Sequence, residues 1–241
     1  MSMNSFESFP LASSAFLIIF CLCFAILQVL LDQLGTRWEN ARKIALPLNI
    51  AYAMVSGLFS VYSVWMVFDQ GLLSVRPSSL PEAFTSLFYI YYLSKLWEVI
   101  DIILVELMGH PIHLHFRVHH NTTPLLGLLL FQHRTYSGLI FMIANTFMHF
   151  WVYLYHGGVQ NRTTFAMVRS MGHIQLLTGI VCSALAIWVE LTSSASVSVL
   201  LAFNRLLLSE FIPLVLYSVY FVLFRIEVQE TRTFDELMKS K

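Results

Sequence analysis

An all-α membrane protein of about seven transmembrane helices is the fold class this sequence predicts, and three observations carry the prediction. Hydrophobic residues make up 57% of the 241 positions and charged residues 12%, and the mean hydropathy is +0.70. Both lie well outside the balance of a soluble domain. The apolar residues gather into stretches of about 20, the length at which an α-helix crosses the hydrocarbon of a bilayer. Too little chain is left between them for a soluble domain, and no repeat, low-complexity tract or long linker divides the sequence. Residues 1–241 therefore read as a single integral membrane domain.

The expected spans are 11–31, 44–68, 84–107, 112–132, 138–155, 167–189 and 206–224. The first stays as a span rather than being cleaved as a signal peptide, because Glu7 but no Lys or Arg precedes it and its apolar run is too long. Pro77 and Pro81 mark the turn between the second and third spans, and Gly157-Gly158 opens the turn before the sixth. The tail after Phe224 is short and charged. Short cytosolic loops collect Lys and Arg. With the N-terminus lumenal, one side holds Arg37, Arg42, Lys43, Arg117, Arg162, Arg169, Arg225, Arg232, Lys239 and Lys241, and the other only Arg76, Arg134 and Arg205. That asymmetry places the C-terminus in the cytosol.

Composition also excludes classes of function. With 14 basic and 14 acidic residues and no basic stripe, nothing points to nucleic acid. Cys21, Cys23 and Cys182 are odd in number, lack a C-x-x-C and sit in apolar runs, so they read as small buried hydrophobes. Asn121 and Asn161 head N-glycosylation sequons that fall on the expected cytosolic side, where the modification does not occur.

Chemistry is concentrated in the middle of the chain. All nine histidines fall between His110 and His173, and ionisable groups in membrane spans mark functional sites by default because hydrocarbon penalises them. The third span sets Lys95, Glu98 and Asp101 at intervals of three along one helix. Lys95 and Glu98 are close enough there to pair. The trio is either a polar network that fixes helix packing or a substrate-binding group. The fourth span carries His113, His115, His119 and His120, with His115 and His119 four apart on one face. Such a cluster suits ligands or acid–base groups, while His110 and His113 fit an interfacial position.

In the fifth span Asn145, His149 and Tyr153 recur every four residues and share a face. Asn and Tyr can hydrogen-bond an imidazole and set its tautomer, as a histidine nucleophile or base requires. Tyr155 and His156 lie nearer the surface. Arg169, His173 and Gln175 extend the polar set into the sixth span, with Thr178 a turn beyond. At about 1.5 Å per residue, Asp101, His119, His149 and His173 all fall in the cytosolic half of antiparallel helices. They can meet in a cavity open to the cytosol.

At these residues, from about 89 to 178, the chain resembles the ELO family of very-long-chain fatty acid elongases, 3-ketoacyl-CoA synthases of the endoplasmic reticulum membrane. The family pattern K-x-x-E-x-x-D-T is matched by Lys95, Glu98 and Asp101, with Ile102 for Thr. N-x-x-x-H-x-x-M-Y-x-Y is matched by Asn145, His149, Tyr153 and Tyr155, with Val152 for Met. The H-x-x-H-H box keeps His119 and His120, but Phe116 stands at its first position and His115 is one residue early. T-x-x-Q-x-x-Q keeps only Gln175, between Gly172 and Thr178.

The resemblance implies seven helices, six of them around a narrow acyl-chain tunnel, and condensation of an acyl-CoA with malonyl-CoA to a 3-ketoacyl-CoA, carbon dioxide and CoA. It implies no metal and no cofactor. His119 would attack the thioester to form an acyl-imidazole, His149 held by Asn145 would be base or oxyanion stabiliser, and His120 and His115 would orient the pair. Lys95, Glu98, Asp101, Tyr153, Tyr155, His173 and Gln175 would bind substrate. The partners that go with the resemblance are the bilayer, the two CoA thioesters, other enzymes of the elongation cycle and a second copy of the chain. The near-terminal Lys239 and Lys241 hint at a retrieval signal to the same membrane.

Two other classes share some of these features. His115, His119 and His120 form H-x-x-x-H-H, a spacing also seen in membrane di-iron desaturases and hydroxylases, although His133, His149, His156 and His173 are scattered singly. A proton-coupled transporter could use Lys95, Glu98, Asp101 and His149 as a relay, but no internal repeat of the kind such folds carry is present.

Overall fold

The computed structural model describes residues 9–34, 38–72, 80–109, 112–193 and 206–239, with backbone alone at 32, 34, 193 and 230–239. The described residues are almost wholly helical. Arg37, Arg76, Pro77, His110, Arg205 and Lys241 lie outside them, as does the structure of the expected N-terminal flank around Glu7. The helices are α1 (Ser14–Leu34), α2 (Ala41–Asp69), α3 (Thr85–Trp97), α4 (Val99–Leu107), α5 (Leu114–His133), α6 (Tyr136–His156), α7 (Arg162–Ser193) and α8 (Ile212–Lys239). Five stretches are long and apolar enough by themselves to cross a membrane: those in α1, α2, α6 and α7, and Leu207–Gln229, which carries a π-turn into α8.

Local chemistry sets the helix ends. The Ser13 hydroxyl accepts from the Phe16 N–H at the start of α1, and the Thr135 hydroxyl from the Gly138 N–H at the start of α6. Asn161 and Thr164 bond each other's backbone N–H groups in a reciprocal cap on α7. Arg134, in the left-handed region at φ 46°, ends α5. Thr135 then starts α6, so the two run antiparallel.

The third expected span is not one helix. It breaks at Glu98 into α3 and α4, so Lys95, Glu98 and Asp101 do not share one regular helix. The Glu98 carbonyl accepts instead from the Asp101 N–H, three residues on, at 3.1 Å and from the His120 ring at 3.1 Å. A side chain from α5 has inserted into the backbone ladder, a recognised cause of a helix break within a membrane.

Six spans close a ring: α2 packs on α6, α6 on α7, α7 on α8, α8 on α5, α5 on α3 and α4, and α4 on α2. Helix α1 stands outside, against α4 and α5. Small residues let these helices approach, as membrane packing requires. At Gly172 of α7 an added Cβ would lie 2.5 Å from the Phe224 ring of α8, and at Gly179 it would lie 2.7 Å from Tyr217. The interior toward the α5–α6 turn is filled by Phe88, Tyr91, Tyr92, Leu130, Phe131, Phe141 and Tyr217, all nearly or wholly buried. Of the cysteines expected to be buried, Cys23 is exposed because α1 presents that face outward, and Cys21 on α1 and Cys182 on α7 are half-buried; all three are free.

Candidate active site

Inside the ring a lysine is held as an ion. Lys95 and Glu98 are 2% and 1% exposed and pair at 2.5 Å. The Lys95 ammonium also donates to Asn145 Oδ1 at 2.7 Å and to His149 Nε2 at 3.3 Å, which uses its three donors. It lies 4.8 Å from the centre of the Tyr91 ring. Asn145 Oδ1 accepts a second bond from the Tyr91 hydroxyl at 2.9 Å, and its Nδ2 donates to Gln175 Oε1 at 2.7 Å. Tyr52, on α2, donates to Glu98 Oε1 at 3.1 Å. Burying an ion pair costs several kcal/mol per ion unless hydrogen bonds compensate; Tyr52 of α2 and Asn145 and His149 of α6 bond the pair directly, and Tyr91 and Gln175 brace Asn145.

The imidazoles around this pair are not equivalent. His120 Nδ1 donates to the Glu98 carbonyl, which fixes its tautomer. His149 accepts from Lys95 and has Nδ1 3.6 Å from Glu98 Oε1. Its ring stacks on Tyr153, centroids 5.4 Å apart, and the Tyr153 hydroxyl donates to Asp101 Oδ2 across the α4–α6 interface. His119, 8% exposed, has no hydrogen-bond partner on its buried Nδ1 among the described residues. Aromatic edges hold it, with Tyr220 at 4.7 Å and His120 at 5.3 Å between centroids. Glu98 Oε2, His119 Nδ1 and His149 Nδ1 are therefore buried polar atoms left open, on three residues that each have a ligand atom within 4.8 Å of the others. Such atoms cost free energy unless something else satisfies them.

Above this centre, at the end of the ring where α5 and α7 begin and α6 ends, lies a rim. His115, one turn before His119, stacks on it with centroids 5.6 Å apart. Its Nδ1 donates to Glu227 Oε2 of α8 at 3.0 Å. His173 donates from Nδ1 to the Arg169 carbonyl at 2.8 Å and packs on Phe224 and Phe221. A cleft of about 320 Å³ there is lined by Arg169, His173, Phe221, Arg225, Val228 and Gln229.

Of the residues singled out by sequence, Lys95, Glu98, Asn145, His149 and Gln175 form one bonded network with His120 at its edge. Asp101 and Tyr153 flank it as a pair. Asn145 does not touch His149 directly; it holds the lysine that does. Tyr155 is brought elsewhere, half-buried against Phe165 and His156. His173 sits on the rim, not in the network. Sequence reasoning missed Tyr52, Tyr91, Tyr220 and Glu227. For Glu227 a signal existed, an acid two residues after Arg225 at the end of an apolar run; the tyrosines are hidden among 10 in the chain.

Glu98, His119 and His149 can each present one ligand atom within 4.8 Å of the others, a spacing that could hold a metal ion. The Lys95 ammonium already sits on that carboxylate at 2.5 Å, so a divalent ion would have to stand beside a buried cation. We assign no metal to the group.

The fold and the site together define an integral membrane protein whose helices enclose an ammonium–carboxylate–imidazole centre beneath a cationic rim. The family model of the ELO (GNS1/SUR4) family matches residues 3–227. The chain belongs to that family, a family of fatty acid elongation, and with membership go a bilayer setting and fatty acyl substrates. No curated protein and no solved structure matches the chain.

Proposed function

We propose that the protein is a 3-ketoacyl-CoA synthase that condenses a long-chain acyl-CoA with malonyl-CoA, with His119 as nucleophile. The observation that carries the assignment is the difference between the imidazoles. His120 and His149 are tied by hydrogen bonds, whereas His119 keeps its ring nitrogens for a substrate. A histidine that attacks a thioester forms an acyl-imidazole and splits one difficult transfer into two easier ones.

The reaction proceeds in two parts. A ring nitrogen of His119 bonds to the thioester carbonyl carbon while the carbon–sulfur bond breaks and CoA leaves. Malonyl-CoA then loses carbon dioxide, and the resulting enolate takes the acyl group from His119 to give a 3-ketoacyl-CoA two carbons longer. His149, with its Nδ1 open and its Nε2 on Lys95, stabilises the oxygen that gains negative charge. Lys95, Asn145 and Gln175 act through His149 as positioning residues. Arg169 and Arg225, lining the rim cleft, suit the phosphates of CoA. The acyl chain runs down the ring, where Tyr217 and Tyr220 must turn to admit it. No metal or redox cofactor enters these steps, and the endoplasmic reticulum with a cytosolic rim is the compartment we propose.

Radiolabelled malonyl-CoA supplied with acyl-CoAs of increasing length tests the reaction class, since label must enter a product two carbons longer. Intact-mass analysis after acyl-CoA alone tests the nucleophile. An adduct is expected that His119→Ala abolishes, and an adduct that survives this change refutes the assignment.

A further inference from the structure

We propose that His115, held by Glu227, is the acid that protonates the departing CoA sulfur when His119 is acylated. This rests on the acyl-imidazole reading above and adds a proton path to it. The condensation consumes one proton per turnover, because a neutral thiol leaves while malonyl carboxylate becomes carbon dioxide. That proton must cross from water to a buried centre whose nucleophile, His119, is itself being acylated.

Four imidazoles surround the rim and the centre, and their partners separate them. His120 gives its Nδ1–H to a backbone carbonyl, and His149 has its Nε2 on the Lys95 ammonium. His173 gives its Nδ1–H to the Arg169 carbonyl and lines the cleft beside two guanidinium groups. His115 is the one hydrogen-bonded to a carboxylate, Glu227 Oε2 at 3.0 Å; His149 has Glu98 Oε1 at 3.6 Å, but that oxygen is already paired with Lys95 at 2.5 Å. A carboxylate that takes the Nδ1–H orients the ring, so the proton available to be given away is the one on Nε2.

Position completes the argument. His115 lies one turn nearer the rim than His119, ring over ring at 5.6 Å, and is 16% exposed. It contacts the nucleophile on one side and is partly exposed at the rim on the other. Phe224 of α8 walls it at 5.3 Å between centroids, and the facing charged or titratable groups are His119 on α5, Glu227 on α8 and His173 on α7 behind Phe224. Thus Phe116, the residue at the ordinary first place of the box, is not the acid; it stacks on His120 at 4.2 Å.

The balance is simple. Neutral His119 forms its nitrogen–carbon bond and becomes an acyl-imidazolium. The carbon–sulfur electron pair goes to sulfur and takes the proton from the His115 imidazolium, so CoA leaves as the thiol and His115 is left neutral. Enolate attack then returns His119 to neutrality, and His115 recovers its proton from water.

The test compares two thioesters in acyl transfer to the full-length protein without malonyl-CoA, read as thiol release and adduct mass. One is the acyl-CoA; the other is the same acyl group on nitrothiophenol, whose acidic thiol leaves without a proton. With acyl-CoA, His115→Gln is expected to slow acylation by about 10²-fold or more, the range of general acid catalysis, and Glu227→Gln by a smaller factor. With the nitrothiophenyl ester both variants are expected to match the unaltered protein, which also shows that they are folded. Equal losses with both esters, or no loss with acyl-CoA, overturn the proposal while leaving His119 in place. If the unaltered protein gives no His119 adduct with either ester, the acyl-imidazole reading falls and this inference with it.

Discussion

Helices α1 and α5 are nearly the same length, 21 and 20 residues, and occupy opposite places in the molecule. Helix α1 turns Ile18, Ile19, Leu22 and Ile26 outward, and its buried Gln28 meets Asn121 of α5 at 3.2 Å. Helix α5 buries His119, His120 and Thr123 and carries His115 at its mouth. Helix α1 is long and apolar enough to cross a membrane by itself, whereas α5 and the broken pair α3 and α4 are not. A helix can carry polar chemistry through a membrane only if other helices replace the lipid around it. The ring of six is that replacement, and α1 is free of the constraint.

The largest effect expected from breaking this contrast is on turnover. His119→Ala should reduce condensation to background while the protein stays folded, since the ring has packing but no hydrogen bond to lose; wild-type turnover in this variant would remove His119 from the chemistry. Next is stability. Lys95→Ala strands the Glu98 carboxylate and should cost about 3–5 kcal/mol, the range for removing one partner of a buried pair. The Lys95→Ala/Glu98→Ala double variant should cost less than the sum, and additive losses in a denaturation cycle would show that the pair is uncoupled.

A smaller loss is expected at Gly172, where the family pattern has Thr. Any Cβ meets the Phe224 ring at 2.5 Å, so Gly172→Thr should destabilise by about 1–3 kcal/mol, as overpacking does. It should also push Phe224 onto His115, and Phe224→Leu in the same chain should recover part of both losses. The smallest effect belongs to α1, where Leu22→Ala should shift stability by no more than about 0.5 kcal/mol, and a larger shift would mean that this face is covered. Independently of these, metal analysis of purified protein should find iron well below one equivalent, since stoichiometric iron would favour the di-iron alternative.

Much of the site was legible because ions and imidazoles are anomalous in apolar runs. Lys95, Glu98, Asn145, His119, His120 and His149 stood out for that reason, and their antiparallel placement predicted a shared end of the bundle. Partners were not legible. Asn145 and His149 share a helical face, yet the lysine stands between them and takes both. Tyr52 and Tyr91 look like ordinary aromatic filling until the fold brings their hydroxyls to Glu98 and Asn145.

What the sequence determined by itself was the helical membrane class, the approximate spans and the end at which the polar groups gather. These depend on local hydropathy and on intervals of three and four, which one chain displays in one dimension. The tertiary structure alone decided that α3 and α4 part at Glu98, that His119 is the untied imidazole, and that Glu227 closes on His115 across 112 residues. A hydrogen bond is made at about 3 Å and is indifferent to sequence separation, so only packing of the helices selects which donors and acceptors meet.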